Sequence, residues 1–307
     1  MRRQQRYLHR CFSLKTPGSG SVKSIHKLPR VFVDTLTVDN VRFTVTGDIA
    51  EYLVTVMRMK TGHSFRAFNT SGEHLCVIDD IVFQKQRRKS SAVAGVHASI
   101  VKTICLPECD KDMACHLYVS PIRARNMKKM VEMATELGVS SITPVLCQNT
   151  NAKLESLEAL HRLATGATEQ SERLSVPEIY DPVNLADAVN SWLLPSTALA
   201  SDTPPPSCDA MASCSPAVFT EPLLVCRERK SHTAVPILAC LRGILQTLPV
   251  PCRMGVLVGP EGGFTEEELT WLEGMEGVRM VTLGDTILRS ETAVAAALSC
   301  IQNFVRS

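Results

Sequence analysis

Two stretches of this chain carry residues whose types and spacing could do chemistry. In the first, the apolar run Gly255-Val256-Leu257-Val258 leads into Gly259-Pro260-Glu261-Gly262-Gly263-Phe264 and then Thr265-Glu266-Glu267-Glu268-Leu269. That pattern predicts a buried strand, a glycine-rich turn and a helix opened by a capping box between Thr265 and Glu268. Gly259, Gly262 and Gly263 let backbone approach a ligand closely and adopt positive φ, and Pro260 stiffens the turn. The carboxyl end of a strand is where open α/β sheets bind ligands. The segment has no Gly-Lys-Ser/Thr, so it is not a P-loop, and its glycine spacing does not match the dinucleotide fingerprint. A plain strand-to-helix turn would use the same glycines.

The second stretch is Leu283-Gly284-Asp285-Thr286-Ile287-Leu288-Arg289-Ser290-Glu291-Thr292-Ala293. It reads as a strand end, a loop and the start of a small-residue helix. Ser290 suits the N-cap and Glu291 the positive helix start. Arg289 could bind an RNA phosphate or a substrate carboxylate. Equally, it could form a structural pair with Glu291 or Glu261.

The surrounding pattern divides the chain. Residues 28–110 read as β-rich, with runs at Val31–Val33, Phe65–Phe68, Leu75–Ile78, Ile81–Phe83 and Ala98–Val101; Asn69-Thr70-Ser71-Gly72 is a hairpin turn. Lys85, Arg87, Arg88 and Lys89 form a basic loop tip, either an RNA handle or a solvated turn. Residues 111–307 alternate strands and helices. Strands are expected at His116–Ser120, Ile142–Leu146, Leu223–Cys226, Gly255–Val258 and Met280–Leu283. The last three are nearly all apolar, as in a parallel sheet covered on both faces. Helices are expected around Met127–Leu137, closed by Gly138, and over Leu154–Ser171, His232–Gln246, Glu266–Glu273 and Glu291–Phe304. Pro, Ser, Ala and Thr dominate about 195–222, the composition of a flexible insertion.

Among the 307 residues, 45% are hydrophobic and 21% charged, a globular balance with room for two domains. No apolar run approaches the ~20 residues a membrane span needs, so a soluble protein is expected. The net charge of +2 does not mark a nucleic-acid binder, so any such role must rest on local charge. Residues 1–27 carry Arg2, Arg3, Arg6, Arg10, Lys15, Lys23 and Lys27 with no acid, which predicts a mitochondrial presequence; a basic arm that touches RNA in the cytoplasm is the alternative. The 12 cysteines are scattered, and the cluster Cys105, Cys109, Cys115 and His116 fits no zinc spacing, so free thiols and no metal are expected.

Taken together, Gly259–Phe264 and Leu283–Ala293 resemble the bacterial 16S rRNA uridine-N3 methyltransferase family of the SPOUT superfamily. Ala134-Thr135-Glu136-Leu137-Gly138-Val139 with Ile142-Thr143-Pro144, Glu169-Gln170-Ser171 with Arg173 and Val176-Pro177-Glu178, and Arg30-Val31-Phe32-Val33 extend the resemblance over about Leu28–Gln302. It implies an α/β SPOUT trefoil-knot methyltransferase domain preceded by a small PUA-like β-barrel. It also implies a homodimer acting on ribosomal RNA, with S-adenosyl-L-methionine as cofactor. The cofactor residues would be Val258, Gly259, Pro260, Glu261, Gly262, Leu283, Gly284, Ile287, Leu288 and Arg289. Arg173 joins the basic tip as an RNA-binding candidate.

The chemistry would be methyl transfer to N3 of a uridine, whose proton must be removed or whose anion must be stabilised. Arg289 is the first candidate to position the uridine; Glu261 is a candidate base, or only shapes the loop. Thr286 and Met133 stand where the family usually carries basic residues, Glu51-Tyr52 where paired histidines are common, and Glu172 where glycine is common. These departures keep two other readings open: an inactive RNA-binding assembly factor with the same fold, and an enzyme for a different base.

Overall fold

The structure, a computed structural model, describes residues 25–37, 41–85, 91–106, 113–193, 221–228, 234–245 and 252–305. Residues 1–24, Arg87, Arg88 and Lys89 of the basic tip, and the insertion as far as residue 220 lie outside the described residues. The N-terminal part builds β1 (Arg30–Phe32), β2 (Arg42–Val45), α1 (Gly47–Glu51) running into a π-helical turn (Tyr52–Val56), β3 (Ser64–Asn69), β4 (Gly72–Lys85) and β5 (Ser91–Cys105). These strands pair in the order β1-β3-β4-β5-β2, with β1 parallel to β3 and the others antiparallel. Alternate residues turn inward: Phe65 and Ala67, Cys76 and Ile78, Val96 and Ala98 fill one core. The expected hairpin closes with Asn69 opposite Gly72, and the Asn69 carboxamide oxygen accepts the Ser71 amide at 2.8 Å. Ile81–Phe83 is not a separate strand. It continues β4, and register shifts between Ile78 and Asp80 and between Val82 and Phe83 bend one long strand so that it reads as two.

The C-terminal part contains β6 (Met113–Val119), α2 (Ala124–Glu136), β7 (Ser141–Leu146), α3 (Leu157–Gln170), β8 (Glu178–Ile179), β9 (Val183–Asn184) and α4 (Leu185–Leu193). After these come β10 (Leu223–Cys226), β11 (Val235–Pro236), α5 (Ile237–Leu245), β12 (Cys252–Val258), α6 (Glu266–Glu273), β13 (Val278–Thr282) and α7 (Ser290–Val305). The sheet runs β11-β13-β10-β12-β6-β7-β8 with parallel pairings. One face packs Leu117, Met130, Leu160, Val256 and Leu298; the other packs Trp192, Val225, Leu257, Leu272 and Met280. Coverage on both faces is why the central strands are apolar throughout. Gly138, at φ 88, closes α2 as expected, because only glycine takes that conformation without strain. Two helices begin later than their apolar pattern. Ser156 caps α3, accepting the Ala159 amide, and α5 starts after Pro236, whose ring favours a helix start over a helix interior.

A buried ionic cluster joins the two parts. Glu73 accepts from Arg30 and from Arg66, both at 3.0 Å, and the three side chains are 6%, 3% and 7% exposed. Arg30 also donates to the carbonyls of Thr168 and Arg173 in the C-terminal part, at 2.9 and 2.6 Å. Arg66 reaches Glu172 at 2.9 Å, and the Phe32 amide donates to Glu169 at 3.0 Å.

Candidate active site

The carboxyl ends of β10, β12 and β13 lie side by side, and the loops that leave them enclose a cavity of about 310 Å³, within the range of small-molecule sites. Val258 is the last residue of β12, and Gly259 and Gly262 come from the loop after it; Leu283, Gly284 and Leu288 come from the loop after β13. The Ser290 hydroxyl locks the two loops together by donating to the Gly259 carbonyl at 3.1 Å in a buried position. This corrects the expected N-cap role. Ser290 is already helical, and the Arg289 carbonyl accepts the first helical amide, from Ala293, at 2.8 Å. On its other side the glycine-rich loop is held by Asn149, whose carboxamide donates to the Gly263 carbonyl at 3.1 Å. Thr265 and Glu268 form the expected capping box, and Glu268 also accepts the Gln148 amide at 2.8 Å.

The glycines are required by space. A Cβ on Gly259 would sit 2.9 Å from the Phe264 ring, and one on Gly262 would sit 3.2 Å from Asn149. Phe264 itself lines the cavity, so Gly259→Ala should push the ring into the ligand's space. We expect that variant to remain folded and to lose about tenfold or more in cofactor affinity by calorimetry, about 1.4 kcal/mol. An unchanged affinity would show that the loop does not need the glycine.

Of the residues expected to hold cofactor, Pro260, Glu261, Ile287 and Arg289 belong to these loops without lining the cavity. Ile287 is 66% exposed. Glu261 pairs with Arg123 at 3.7 Å on the outside of the loop, which favours a loop-shaping role over that of a base. Arg289 is exposed between Leu288 and Ser290, which both line the cavity, and among the described residues it has no ion pair with Glu261 or Glu291. Arg173 is corrected: its guanidinium is not presented to RNA. It donates to the carbonyls of Thr135 and Val139 at 2.5 and 2.8 Å, and burial pushes it down to about 10. It therefore staples the end of α2.

Sequence reasoning missed Cys226, Arg227 and Glu228, which line the cavity from the end of β10, as well as Phe264, Thr286 and Ala293. The rule that strand carboxyl ends bind ligands would have flagged the first three. Burial pushes the Cys226 thiol up to about 12, so it is an apolar wall and not a nucleophile. Arg227 pairs with Glu273 and, at 4.0 Å, with Glu266. The lining thus combines apolar walls (Val258, Leu269, Leu283, Leu288), an aromatic ring, the carboxylates of Glu228 and Glu266 and the Arg227 guanidinium paired with the latter. Such a set fits a flat heteroaromatic carrying hydroxyls and a cationic tail, which is the make-up of S-adenosylmethionine.

Comparison with known proteins agrees with this geometry. Residues 109–302 match the model of an RNA methyltransferase domain, and residues 45–82 match that of an RNA methyltransferase PUA domain. The ribosomal RNA small subunit methyltransferase E of Rickettsia conorii is 25% identical over 281 residues, 90% of this chain and 96% of that protein. Its counterpart from Bacillus subtilis is 24% identical over 267 residues, 84% and 89% of the two chains. The crystal structure of a ribosomal RNA small subunit methyltransferase E from Neisseria gonorrhoeae, bound to S-adenosyl methionine, shares the fold. Its TM-score is 0.64 at 22% identity, with coverage of 90% of this chain and 97% of that one.

Proposed function

The chain belongs to the RNA methyltransferase family, and on that premise we propose that it methylates N3 of a uridine in small-subunit ribosomal RNA, with S-adenosyl-L-methionine as donor. The observation that carries the reading is the cavity that the glycine-containing loops after β12 and β13 form with the end of β10, the two loops being locked together by Ser290. The names and coverage of the curated relatives support the substrate class. When bound, the cofactor supplies a methyl on a sulfonium, an electrophile that needs no further activation.

The protein's part is alignment and charge. Val258, Leu283 and Leu288 hold the donor and exclude water. Arg289, at the mouth, positions the uridine and favours its imide anion, in which N3 carries the lone pair that forms the new N–C bond. The N3 proton leaves to solvent before or during that step, and the S–C bond to the methyl breaks as the N–C bond forms, leaving a neutral thioether. N3 is hidden in a base pair, so the target must be single-stranded or flipped out.

The trefoil-knotted path, the homodimer and a mitochondrial location belong to the same reading. The acid-free, arginine-rich residues 1–27 support the last of these. Calorimetric titration of the full chain with S-adenosylmethionine tests the proposal. Micromolar binding, roughly −8 kcal/mol, is expected. No binding by a folded protein would leave an RNA-binding assembly factor.

A further inference from the structure

The exposed face of α2 carries charge that the cavity does not use. Arg125, Lys128 and Lys129 follow one another at helical spacing on the side opposite the buried Met127, Met130 and Val131. Arg123 precedes them, with its side chain 84% exposed. The first turn contains no acid. Cations there oppose the helix dipole and weaken the helix by a few tenths of a kcal/mol each, so folding does not explain them. Lys128 meets Glu155 at 3.2 Å; among the described residues Arg125 and Lys129 have no ion pair.

The start of this face is tied to a loop of the cavity. The strand before α2 is β6, which lies parallel to β12, and the Ser120 amide at its end donates to the Val258 carbonyl at 3.1 Å. The Arg123–Glu261 pair then joins the start of the face to the glycine-rich loop, one residue from Gly262 of the lining.

We infer that the Arg123–Lys129 face of α2 is the docking surface for the phosphates of the RNA strand that carries the target nucleotide to the cavity. The inference rests on the proposed function for the identity of that strand. Its own support is the row of exposed cations that begins at the loop bordering the cavity, of which Arg125 and Lys129 have no ion pair among the described residues. Charge complementarity selects a polyanion, and the position next to the cavity selects the substrate strand.

The test compares the wild-type full chain with the double variant Arg125→Ala/Lys129→Ala, using a labelled transcript of small-subunit ribosomal RNA over a salt series. S-adenosylmethionine binding is measured alongside. Arg162→Ala, which removes an exposed cation on α3, is the control. The double variant should bind RNA about tenfold more weakly, with the slope of log K against log salt reduced by about 1.4, the value for two phosphates on a single strand. Its cofactor affinity and the RNA affinity of the control should be unchanged. Wild-type RNA affinity and slope in the double variant would overturn the inference and leave the face to an acidic protein. An equal loss in Arg162→Ala would also overturn it, because charge anywhere would then suffice. If RNA binding falls as expected but no form binds S-adenosylmethionine, the proposed function fails while the docking surface stands.

Discussion

Arg289→Ala should lower methyl transfer by about two to three orders of magnitude, the cost of losing one positioned donor to a developing anion, and should leave S-adenosylmethionine affinity unchanged. The separation follows from where the residue sits. Its side chain is exposed and does not line the cavity, whereas its neighbours Leu288 and Ser290 do. Removing it therefore leaves the cofactor walls in place. The fold should survive as well, since the helical bond from Ala293 uses the Arg289 carbonyl and not the guanidinium. Arg289→Lys should recover part of the rate, because it keeps the charge but not the planar fork. Single-turnover transfer with saturating cofactor, beside calorimetry, reads both quantities. Unchanged turnover in the alanine variant would remove Arg289 from the reaction.

The largest expected effect on stability lies far from the cavity. Glu73→Ala should destabilise the chain by about 3–5 kcal/mol, the range for removing one partner from a buried ionic group. Glu73 is the carboxylate between Arg30 and Arg66, and its loss leaves two nearly inaccessible guanidinium groups facing each other. Burial already pushes the Arg30 guanidinium down from its ordinary value, and Glu73 is the main opposing influence. Arg30 also holds carbonyls at the end of α3, so the damage should reach the contact between the N-terminal sheet and the methyltransferase domain. Urea denaturation of the full chain measures it. Arg162→Ala, at the exposed Glu158 pair, should lower the unfolding free energy by only about 0.5 kcal/mol by comparison. Comparable shifts in the two variants would contradict a structural role for the buried cluster.

The central strands were legible because burial on both faces leaves an unbroken apolar run, and Leu223–Cys226 matches β10 residue for residue. The helix Glu266–Glu273 was equally legible, since its capping box is a local signal. What was lost is what tertiary structure supplies. β4 read as two strands because its register shifts interrupt the alternation on which the pattern depends. Helices α1 and α4 are short and were not seen, and the register that sets β10 between β12 and β13 has no sequence mark.

The site was legible in its glycines and incomplete at β10, where a buried strand ends in Arg227 and Glu228 without any glycine to draw attention. Arg173 looked like an RNA contact because a charged residue beside a family motif reads as functional. Its actual partners, two carbonyls more than thirty residues upstream, are visible only in the fold. Glu172 shows the reverse case. It stands where glycine is common and does adopt a left-handed conformation, φ 58, with its carboxylate tied to Arg66. The strain of a side chain at that position, of order 1 kcal/mol, is offset by a partner from the other domain.

Nucleoside analysis of small-subunit ribosomal RNA, incubated with the full chain and S-adenosylmethionine carrying a labelled methyl, tests the central claim most directly. The expected result is label in 3-methyluridine, accumulating about a hundredfold or more slowly with Arg289→Ala. Label in any other nucleoside, or none with a folded protein that binds both cofactor and RNA, would contradict it.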